Sequence, residues 1–417
     1  MSAVTATAPV VVVVGFPNSI HVARWINASR RHGFRIVLFP SVLGSPCPEL
    51  QPFREVRSRA DVDAFALGEI GVYPADLITV LTEADMEDSD CYPLAAPATR
   101  TPRHLLPHPV ALSRAVKAIR PDLVHSMELQ HGGYLALDTR RRLGAQFPPW
   151  LASSWGSDLF LYRRMGAHRP VLRRLLRSID ALHSDCARDF AWAAAVGFTG
   201  IRFPQMPASG GVDFSVFPDP AGLPPPSRRK SIVVKGYHGW SGRGLHILLA
   251  LHLIAPKLRD FRIVVTHGGR PMADMVARLA AQDGLDISMD PYLGSSAEAV
   301  TRLAGARLAV GYGISDGIST TLLEAMAVGA FMIQATTCCG GEWITPGRTG
   351  LQVPPHDVVA LSEAVLLAAT NDELVDDAVV VNRRTVEERW SASTNGALIA
   401  DGYRAVLARA AAGTAHG

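Results

Sequence analysis

The sequence has 417 residues, 48% apolar and 19% charged, so it can bury a large core and is not a disordered chain. Its formal charge is only +3, from 41 basic and 38 acidic residues, which argues against a nucleic-acid-binding protein. No apolar run approaches the roughly 20 residues that cross a bilayer. No Lys or Arg precedes the apolar run at residues 10–14, so we expect neither a signal peptide nor stable membrane insertion, and a cytoplasmic location.

The five cysteines indicate reduced thiols, because they are odd in number and include no Cys-x-x-Cys pair. We therefore expect no disulfide frame and no metal site. The oligomeric state does not follow from the sequence.

Residues 10–204 alternate short apolar runs with segments of helical period, which is typical of a parallel sheet covered by helices on both faces. The predicted strands are 10–16, 34–39, 75–81, 122–127, 150–154, 181–184 and 201–204. The predicted helices are 19–32, 109–119, 133–143, 168–178 and 186–196. The basic helix 168–178 either touches an anionic membrane or, as we favour, packs within its domain. The proline-rich residues 83–109 are expected to form a long surface loop.

Residues 218–230 predict a linker, because a run of prolines resists both helix and sheet. The alternation then starts again, with predicted strands 231–236, 261–267, 286–292, 308–313, 331–335 and 350–353. Predicted helices are 244–258, 272–282, 296–304 and 320–328, followed by further helices. We therefore predict an α/β fold with two doubly wound Rossmann-like domains, 1–217 and 231–394, facing an interdomain cleft. Residues 395–417 are expected to form a C-terminal helix that packs back on the first domain.

The segment from Ser315 to Gly329, SDGISTTLLEAMAVG, follows a predicted strand and is the strongest candidate site. Asp316 and Gly317 mark a tight turn, and the next helix N-terminus would attract a phosphate. The backbone amides that would point into the cleft are those of Gly317, Ile318, Ser319, Thr320 and Thr321. Asp316 and Glu324 could grip the hydroxyls of a polyol. The structural alternative is that Thr321 and Glu324 form a capping box, with Asp316 only a turn former.

A second candidate is the loop KGYHGWSGRG, from Lys235 to Gly244, directly after the first strand of the second half. Its four glycines permit close approach of a ligand, and Lys235 and Arg243 could neutralise a diphosphate leaving group. The alternative is a mobile loop with solvated charges. In the first half, Gly15 follows the first strand without a Gly-x-Gly-x-x-Gly or phosphate-loop motif, so a ligand contact and a plain strand-to-helix turn are equally compatible with it.

These motifs resemble the family-four retaining glycosyltransferases of GT-B fold. Their signature is two acids eight residues apart, the second followed by Ala-Met-Ala; Asp316 and Glu324 have this spacing, within LLEAMAVG. The segments GGVDFSVF at 210–217 and GGEWITPGRTGLQVPP at 340–355 are also similar to family landmarks. The resemblance spans nearly the whole chain and is strongest at residues 231–365.

The resemblance implies that the first domain binds the acceptor and the second a nucleotide sugar. Glu324 would bind the nucleotide ribose, and Asp316, with the amides of Gly317, Ile318 and Ser319, would hold the donor sugar. The amides of Thr320 and Thr321 would hold a phosphate, while Lys235 and Arg243 would stabilise the diphosphate. Gly15, His238 and Tyr292 complete the expected donor-binding set.

Two departures from the family pattern bear on specificity. The first acid is Asp316 and not the usual Glu, so its side chain is one methylene shorter. In the first half, relatives often carry a His-Gly pair after a strand, whereas this chain has Trp155-Gly156. Trp155 either stacks on an acceptor or fills the strand end, and Asp158 also suits a helix N-cap. The expected acceptor-binding residues are His21, His125, Trp155 and Asp158.

We therefore predict a retaining glycosyltransferase (EC 2.4) that takes UDP- or GDP-sugar as substrate and needs no cofactor or metal. Its composition, rich in Ala, Arg, Gly and Pro, is associated with bacteria of high GC content, where natural products such as antibiotics are small-molecule acceptors. The alternatives are a sugar-nucleotide epimerase of the same fold, a transferase acting on a lipid-linked or polysaccharide acceptor, and a non-catalytic sugar-binding protein.

Overall fold

The computed structural model describes residues 8–82, 101–290 and 296–414, which form two compact units. Unit 1 comprises the chain up to Gly211 together with the segment from Ala392 onward, and unit 2 comprises Val212–Ser391. The predicted linker 218–230 belongs to unit 2, where Arg229 is buried and donates hydrogen bonds to the carbonyls of Ala306 and Val328. This segment is therefore anchored in unit 2 and does not run free between two domains.

The described part of unit 1 has eight parallel strands in the order β3-β4-β2-β1-β5-β6-β7-β8. They are β1 Val10–Gly15, β2 Arg35–Pro40, β3 Phe53–Glu55, β4 Ile70–Val72, β5 Leu123–Met127, β6 Trp150–Ser154, β7 Ala181–Ser184 and β8 Ile201–Arg202. The covering helices are α1 Ile20–Ser29, α2 Arg59–Ala64, α3 Pro109–Ile119, α4 Tyr134–Leu143, α5 Ser157–Phe160, α6 His168–Ser178 and α7 Ala187–Ala195. The valines of β1 are fully buried, as expected of a central strand covered on both faces.

The described part of unit 2 has six parallel strands in the order β11-β10-β9-β12-β13-β14. They are β9 Ser231–Lys235, β10 Arg262–Thr266, β11 Asp286–Met289, β12 Leu308–Gly311, β13 Phe331–Ala335 and β14 Gly350–Val353. Its helices are α8 Gly244–Leu253, α9 Arg270–Asp283, α10 Ser296–Ala304, α11 Thr320–Ala327, α12 Val358–Thr370 and α13 Asp372–Trp390; the last helix, α14 Ala392–Thr414, belongs to unit 1. The predicted fold of two doubly wound α/β domains is confirmed.

The edge of the first sheet differs from the prediction. Residues 75–81 were expected to form a strand, but Ala75–Leu77 is a single 3-10 turn. This end of the sheet is instead formed by β3, at the edge, and β4 beside it, which have three residues each and therefore show no recognisable alternation in sequence. Residues 83–100 of the predicted surface loop, and Tyr292, lie outside the described residues.

Helix α6 packs into unit 1 by one apolar stripe. Val171, Leu172, Leu175 and Leu176 are buried in the core, while its arginines face outward. This arrangement favours a packing helix, because its apolar face already has a partner. Among the described residues, no helix combines the length and apolar character that crossing a bilayer requires.

A chain of buried polar groups joins α14 to the sheet of unit 1. Trp25 Nε1 donates to the Tyr403 hydroxyl at 3.0 Å, and this hydroxyl lies 2.9 Å from His125 Nδ1. Ser153 Oγ lies 2.6 Å from His125 Nε2 and 3.0 Å from His183 Nδ1, and His183 Nε2 lies 3.0 Å from the Met206 carbonyl. Since a carbonyl only accepts, His183 carries its proton on Nε2, and its Nδ1 accepts from the Ser153 hydroxyl. Ser153 Oγ therefore accepts from His125 Nε2, and His125 Nδ1 accepts from the Tyr403 hydroxyl. Both histidines are neutral in this arrangement.

Candidate active site

The strand order of unit 2 reverses between β9 and β12, and ligands of doubly wound sheets bind beyond the carboxyl ends of the strands at such a point. Lys235 ends β9, and Asp316 follows β12. A pocket that is partly open to solvent lies between them. Its lining includes Lys235, Asp316, Ser319, Tyr237, Gly242, Gln334 and Cys338.

Three polar side chains meet in this pocket. The Lys235 ammonium donates to Asp316 Oδ2 at 3.2 Å and to Ser319 Oγ at 3.1 Å. The Lys235 and Asp316 side chains are 29% and 35% exposed, so the ion pair is only half buried and can reach a ligand. The structure therefore brings Lys235 together with two residues that lie more than eighty positions further along the sequence.

The local charges keep Lys235 ionised. Burial alone would lower the pKa of its ammonium, but the charge and hydrogen bond of Asp316 outweigh burial and raise the pKa above its ordinary value. Lys235 is therefore a fixed positive charge at neutral pH, placed where the carboxyl ends of β9 and β12 meet.

Helix α11 begins beside this charge. Ser319 is its N-cap residue, but the Ser319 side chain makes no capping bond and instead accepts from Lys235. The structural alternative, a capping box of Thr321 and Glu324, does not form, because Ser319 is the N-cap residue and Thr321 already lies within the first turn of the helix. The Ser319 hydroxyl, which at an N-cap would ordinarily accept from a helix amide, thus binds the Lys235 ammonium.

One amide of the predicted nest already has a partner within the protein, and the role of the others stays a prediction. The Gly317 amide donates to Asp316 Oδ1 at 2.9 Å and so orients the carboxylate in place of a ligand. Ile318 is buried, and Thr320 and Thr321 form the first turn of α11. Glu324 lies one turn further along with its side chain 6% exposed.

The glycine loop after β9 is held by its own residues. Arg243 donates from Nη1 to the carbonyls of Gly239 at 3.0 Å and Gly242 at 2.8 Å, and His238 Nδ1 lies 3.4 Å from the Leu245 amide. A Cβ on Gly242 would lie 2.4 Å from the Tyr237 carbonyl oxygen, so the tight loop itself requires glycine there. Of the two cations expected to stabilise the diphosphate, Lys235 therefore pairs with Asp316, whereas Arg243 donates to carbonyls of its own loop.

Three residues near the pocket were not selected from the sequence. Tyr237 and Gln334 line the pocket, and His267, directly after β10, has a φ of +60°. Burial, and to a lesser degree the charge of Lys235, lower the pKa of His267 below its ordinary value. A non-glycine residue in the left-handed region beside a candidate site is a recurrent mark of function. The sequence feature that could have pointed to His267 is its position directly after a predicted strand.

The order of strands in unit 1 reverses between β1 and β5. Glu128, after β5, has a φ of +65°, and its carboxylate accepts from the amides of Gln130, His131 and Gly132 at 2.6 to 2.9 Å. Asp158 accepts from the Leu129 and Trp155 amides at 3.1 Å each. Burial, together with the charge of Glu128, raises the pKa of Asp158 well above its ordinary value. These two acids brace the loops after β5 and β6, and sequence reasoning missed Glu128.

Trp155 and His21 lie side by side at the same edge of the sheet, with ring centroids 5.1 Å apart. The Trp155 ring is partly buried, and its Nε1 has no hydrogen-bond partner among the described residues. That nitrogen is itself buried, so only the partly exposed faces of the two rings could meet an acceptor, and the acceptor role of both residues stays a prediction.

Two other expected contacts have structural explanations. His125 is completely buried and both of its ring nitrogens are bonded to the protein, so it presents no atom to an acceptor. Its predicted acceptor role is replaced by a place in the polar chain to α14. At Gly15, a Cβ would lie 3.0 Å from Val22 Cγ2, so close packing of β1 on α1 accounts for this glycine.

Two family models match the sequence. The model described as glycosyl transferases group 1 matches residues 232–371, and the model described as glycosyl transferase 4-like matches residues 79–186. No curated protein matches the chain significantly.

Solved structures share the architecture at low sequence identity. Sucrose-phosphate synthase from Thermosynechococcus elongatus is 14% identical, with a TM-score of 0.66 over 96% of this chain and 100% of that chain. Anabaena HepE in complex with UDP-glucose is 9% identical, with a TM-score of 0.66 over 95% and 100%. The lipopolysaccharide outer core galactosyltransferase WaaB is 12% identical, with a TM-score of 0.62 over 95% and 99%. The two family matches therefore identify the chain as a glycosyltransferase, and the architecture it shares with these structures is the GT-B fold.

Proposed function

We propose that the enzyme transfers a sugar from a nucleoside diphosphate to a small-molecule acceptor, with retention of anomeric configuration and without a metal ion. The observation that supports this proposal is the contact of Lys235 with Asp316 and Ser319, in the pocket where the strand order reverses between β9 and β12. A fixed ammonium at that place stabilises the charge that grows on a leaving diphosphate. HepE was solved with UDP-glucose, which supports uridine as the first base to test, before guanosine.

The donor is held by groups with separate tasks. The Asp316 carboxylate, fixed by the Gly317 amide and Lys235, accepts hydrogen bonds from sugar hydroxyls. The first turn of α11, at Thr320 and Thr321, faces a phosphate with its positive helix end. Glu324 binds the ribose hydroxyls, the role that the family resemblance implies for it.

The chemistry needs no enzyme nucleophile. The bond between the anomeric carbon and the diphosphate oxygen breaks, and the acceptor hydroxyl forms its new bond on the same face. The acceptor proton passes to a diphosphate oxygen, so the products are the glycoside and the protonated nucleoside diphosphate. Lys235 holds the charge of that oxygen while it leaves.

The anomeric configuration of the product tests this mechanism directly. With an α-linked donor, we expect the coupling constant of the anomeric proton in the NMR spectrum to report an α-linked product. A β-linked product would overturn the same-face mechanism. Incubation of the enzyme with donor alone distinguishes an epimerase, which turns over without acceptor.

Metal independence has its own test. We expect product formation to be unchanged by an excess of EDTA, because Lys235 supplies the neutralising charge. Activity that is lost in EDTA and restored by magnesium or manganese would refute this part of the proposal and leave the retaining mechanism standing.

A further inference from the structure

Gln334 is a buried glutamine in the wall of the pocket beside Lys235. It lies near the end of β13, is 2% exposed and lines the pocket together with Asp316. Its Oε1 is enclosed by protein and has no hydrogen-bond partner among the described residues. A buried polar atom without a hydrogen bond destabilises the folded state, because its bonds to water are not replaced. An unpaired side-chain amide in a pocket wall therefore points to a ligand that completes its hydrogen bonds.

The sheet places Gln334 across a glycine from Lys235. Gly311 of β12 pairs with Gln334 in the register with β13. On the side of β9, Val310 pairs with Val234, so the next residues in the two strands, Gly311 and Lys235, lie beside each other. A Cβ on Gly311 would lie 3.9 Å from Lys235 Cδ, so the lysine stem is on this face of the sheet. Gly311 also lines the pocket, and its missing side chain leaves room for a ligand between Lys235 and Gln334.

The carboxamide of Gln334 can present either of its polar atoms to that space. A Cβ on Gly340 would lie 2.4 Å from Gln334 Oε1, so the oxygen occupies space that this glycine leaves open. The torsion about the Cγ–Cδ bond is soft, and a half-turn exchanges the oxygen with the amide nitrogen. The carboxamide therefore offers an acceptor or a donor to a group that lies over Gly311.

A carboxamide suits a hydroxyl group, because both groups donate and accept hydrogen bonds without carrying a charge. Phosphate oxygens are bound more strongly by a cation, and Lys235 supplies one on the other side of Gly311. The chemistry of the two side chains therefore favours an anionic oxygen beside Lys235 and a neutral hydroxyl beside Gln334.

We propose that Gln334 is a specificity-determining residue whose carboxamide binds a hydroxyl of the transferred sugar. The inference rests on the proposed function, in which this pocket holds the nucleotide sugar. Asp316 accepts from other hydroxyls of the same sugar, so the two side chains together recognise its substitution pattern. A donor that lacks the hydroxyl bound by Gln334 leaves the carboxamide unpaired, and the enzyme discriminates against that donor.

Calorimetric titration of the full-length protein with nucleotides tests this role. The probes are UDP, UDP-glucose, UDP-galactose and the 2-, 3-, 4- and 6-deoxy analogues of UDP-glucose. The test variant is Gln334→Leu, which keeps a side chain of similar size and removes both polar atoms. The matched control is Gln352→Leu, because Gln352 pairs with Gln334 on β14 and also has an unpartnered buried amide atom, but is not part of the pocket wall.

For the wild-type protein, we expect the loss of one particular hydroxyl of UDP-glucose to weaken binding about tenfold. In Gln334→Leu, UDP-glucose itself should bind about tenfold more weakly, and removal of that same hydroxyl should have no further effect. UDP should bind Gln334→Leu within about twofold of wild type, and Gln352→Leu should keep the wild-type selectivity among the sugars. Unchanged selectivity in Gln334→Leu, or an equal loss of affinity for UDP and for UDP-glucose, overturns the inference alone. No binding of UDP by the wild-type protein would overturn the proposed function as well.

The melting temperature without ligand distinguishes a ligand contact from a structural residue. Gln334→Leu should melt at the wild-type temperature or above it, because the substitution removes an unpaired polar atom from the interior. A lower melting temperature with unchanged affinity for every sugar would assign Gln334 to the structure and refute the inference. Gln334→Met, with an unbranched side chain of similar length, covers the case in which the leucine variant does not fold, and the same changes in affinity are expected of it.

Discussion

Both sheets carry polar residues in the second half of their strands but use them differently. In unit 1, His125 and Ser153 lie in β5 and β6, and both are fully buried within a chain of hydrogen bonds to α14. In unit 2, Lys235 ends β9 and faces a pocket with Asp316. A polar residue near the carboxyl end of a strand is therefore only a candidate. Whether its hydrogen bonds go to the protein or toward a cavity decides its role.

The largest expected effect is the loss of the pocket cation. Lys235→Gln should lower kcat about 10²- to 10³-fold, because it removes a preorganised charge from the departing diphosphate. Lys257→Gln, an exposed lysine of the same unit, serves as the control. Steady-state kinetics of both variants with a saturating donor provide the measurement. If Lys235→Gln has the same kcat as Lys257→Gln, Lys235 has no part in the mechanism. The polar residues of both sheets would then serve the structure alone.

The opposite result is expected for the buried histidine of unit 1. His125→Leu should lower the free energy of unfolding by about 2–4 kcal/mol, because the buried Tyr403 and Ser153 hydroxyls each lose one of their two hydrogen-bond partners. UDP affinity should be unaffected. Urea denaturation and UDP titration, with the exposed His104→Leu as the reference, separate the two readouts. If His125→Leu weakens UDP binding at unchanged stability, a purely structural role for His125 is wrong.

The same chain predicts a pH dependence of stability. Burial lowers the pKa of His183 from 6.5 to about 4, and it also lowers that of His125. Below pH 6.5 the unfolded chain binds a proton that the folded chain does not, so stability should fall between pH 6.5 and about 4. The loss attributable to His183 is at most about 3 kcal/mol. Melting temperatures across this range should decline more steeply for wild type than for His183→Gln, and equal slopes would contradict the assignment.

Arg243 lies in the same unit as Lys235, and a substitution distinguishes a role in holding the loop from a role in stabilising charge. If it acts by bracing the glycine loop through the Gly239 and Gly242 carbonyls, Arg243→Lys should lower kcat/KM about tenfold although the charge is kept, because an ammonium does not reproduce the fork. A lysine variant with wild-type kinetics, next to an inactive Arg243→Ala, would instead assign the residue to charge stabilisation of the diphosphate.

The smallest expected effects come from two serines at helix N-caps. Ser58 forms a complete capping box with Asp61, so Ser58→Ala should cost about 1 kcal/mol of stability without changing kcat. Ser319 makes no capping bond, so Ser319→Ala should leave the melting temperature nearly unchanged and lower kcat a few fold. Calorimetry and kinetics on both variants decide the matter, and a reversed pattern would show that Ser319 is only a helix cap.

Local patterns in the sequence predicted much of this fold, and contacts between distant residues set the limit. The valines of β1 and the Asp-Gly turn before α11 stand out in a short window, and both lie where the pattern placed them. Strands of three residues, such as β3, offer no such window. The fate of His125 depends on Tyr403, 278 positions away, and that of the Gly317 amide on the orientation of one carboxylate. Neither the role of His125 nor the partner of the Gly317 amide can be predicted from the spacing of residues in the sequence.

The assignment of α14 to unit 1 has a consequence for how the chain is made. Unit 2, Val212–Ser391, is synthesised in full before α14 appears, whereas unit 1 still lacks the helix that carries Tyr403. During translation, Trp25 and His125 of the nascent first sheet therefore lack a hydrogen-bond partner while unit 2 is already complete. Unit 2 is thus the part of this enzyme that can mature first on the ribosome. If the proposed function is right, a stalled chain that ends near Ser391 should bind UDP although unit 1 is still incomplete.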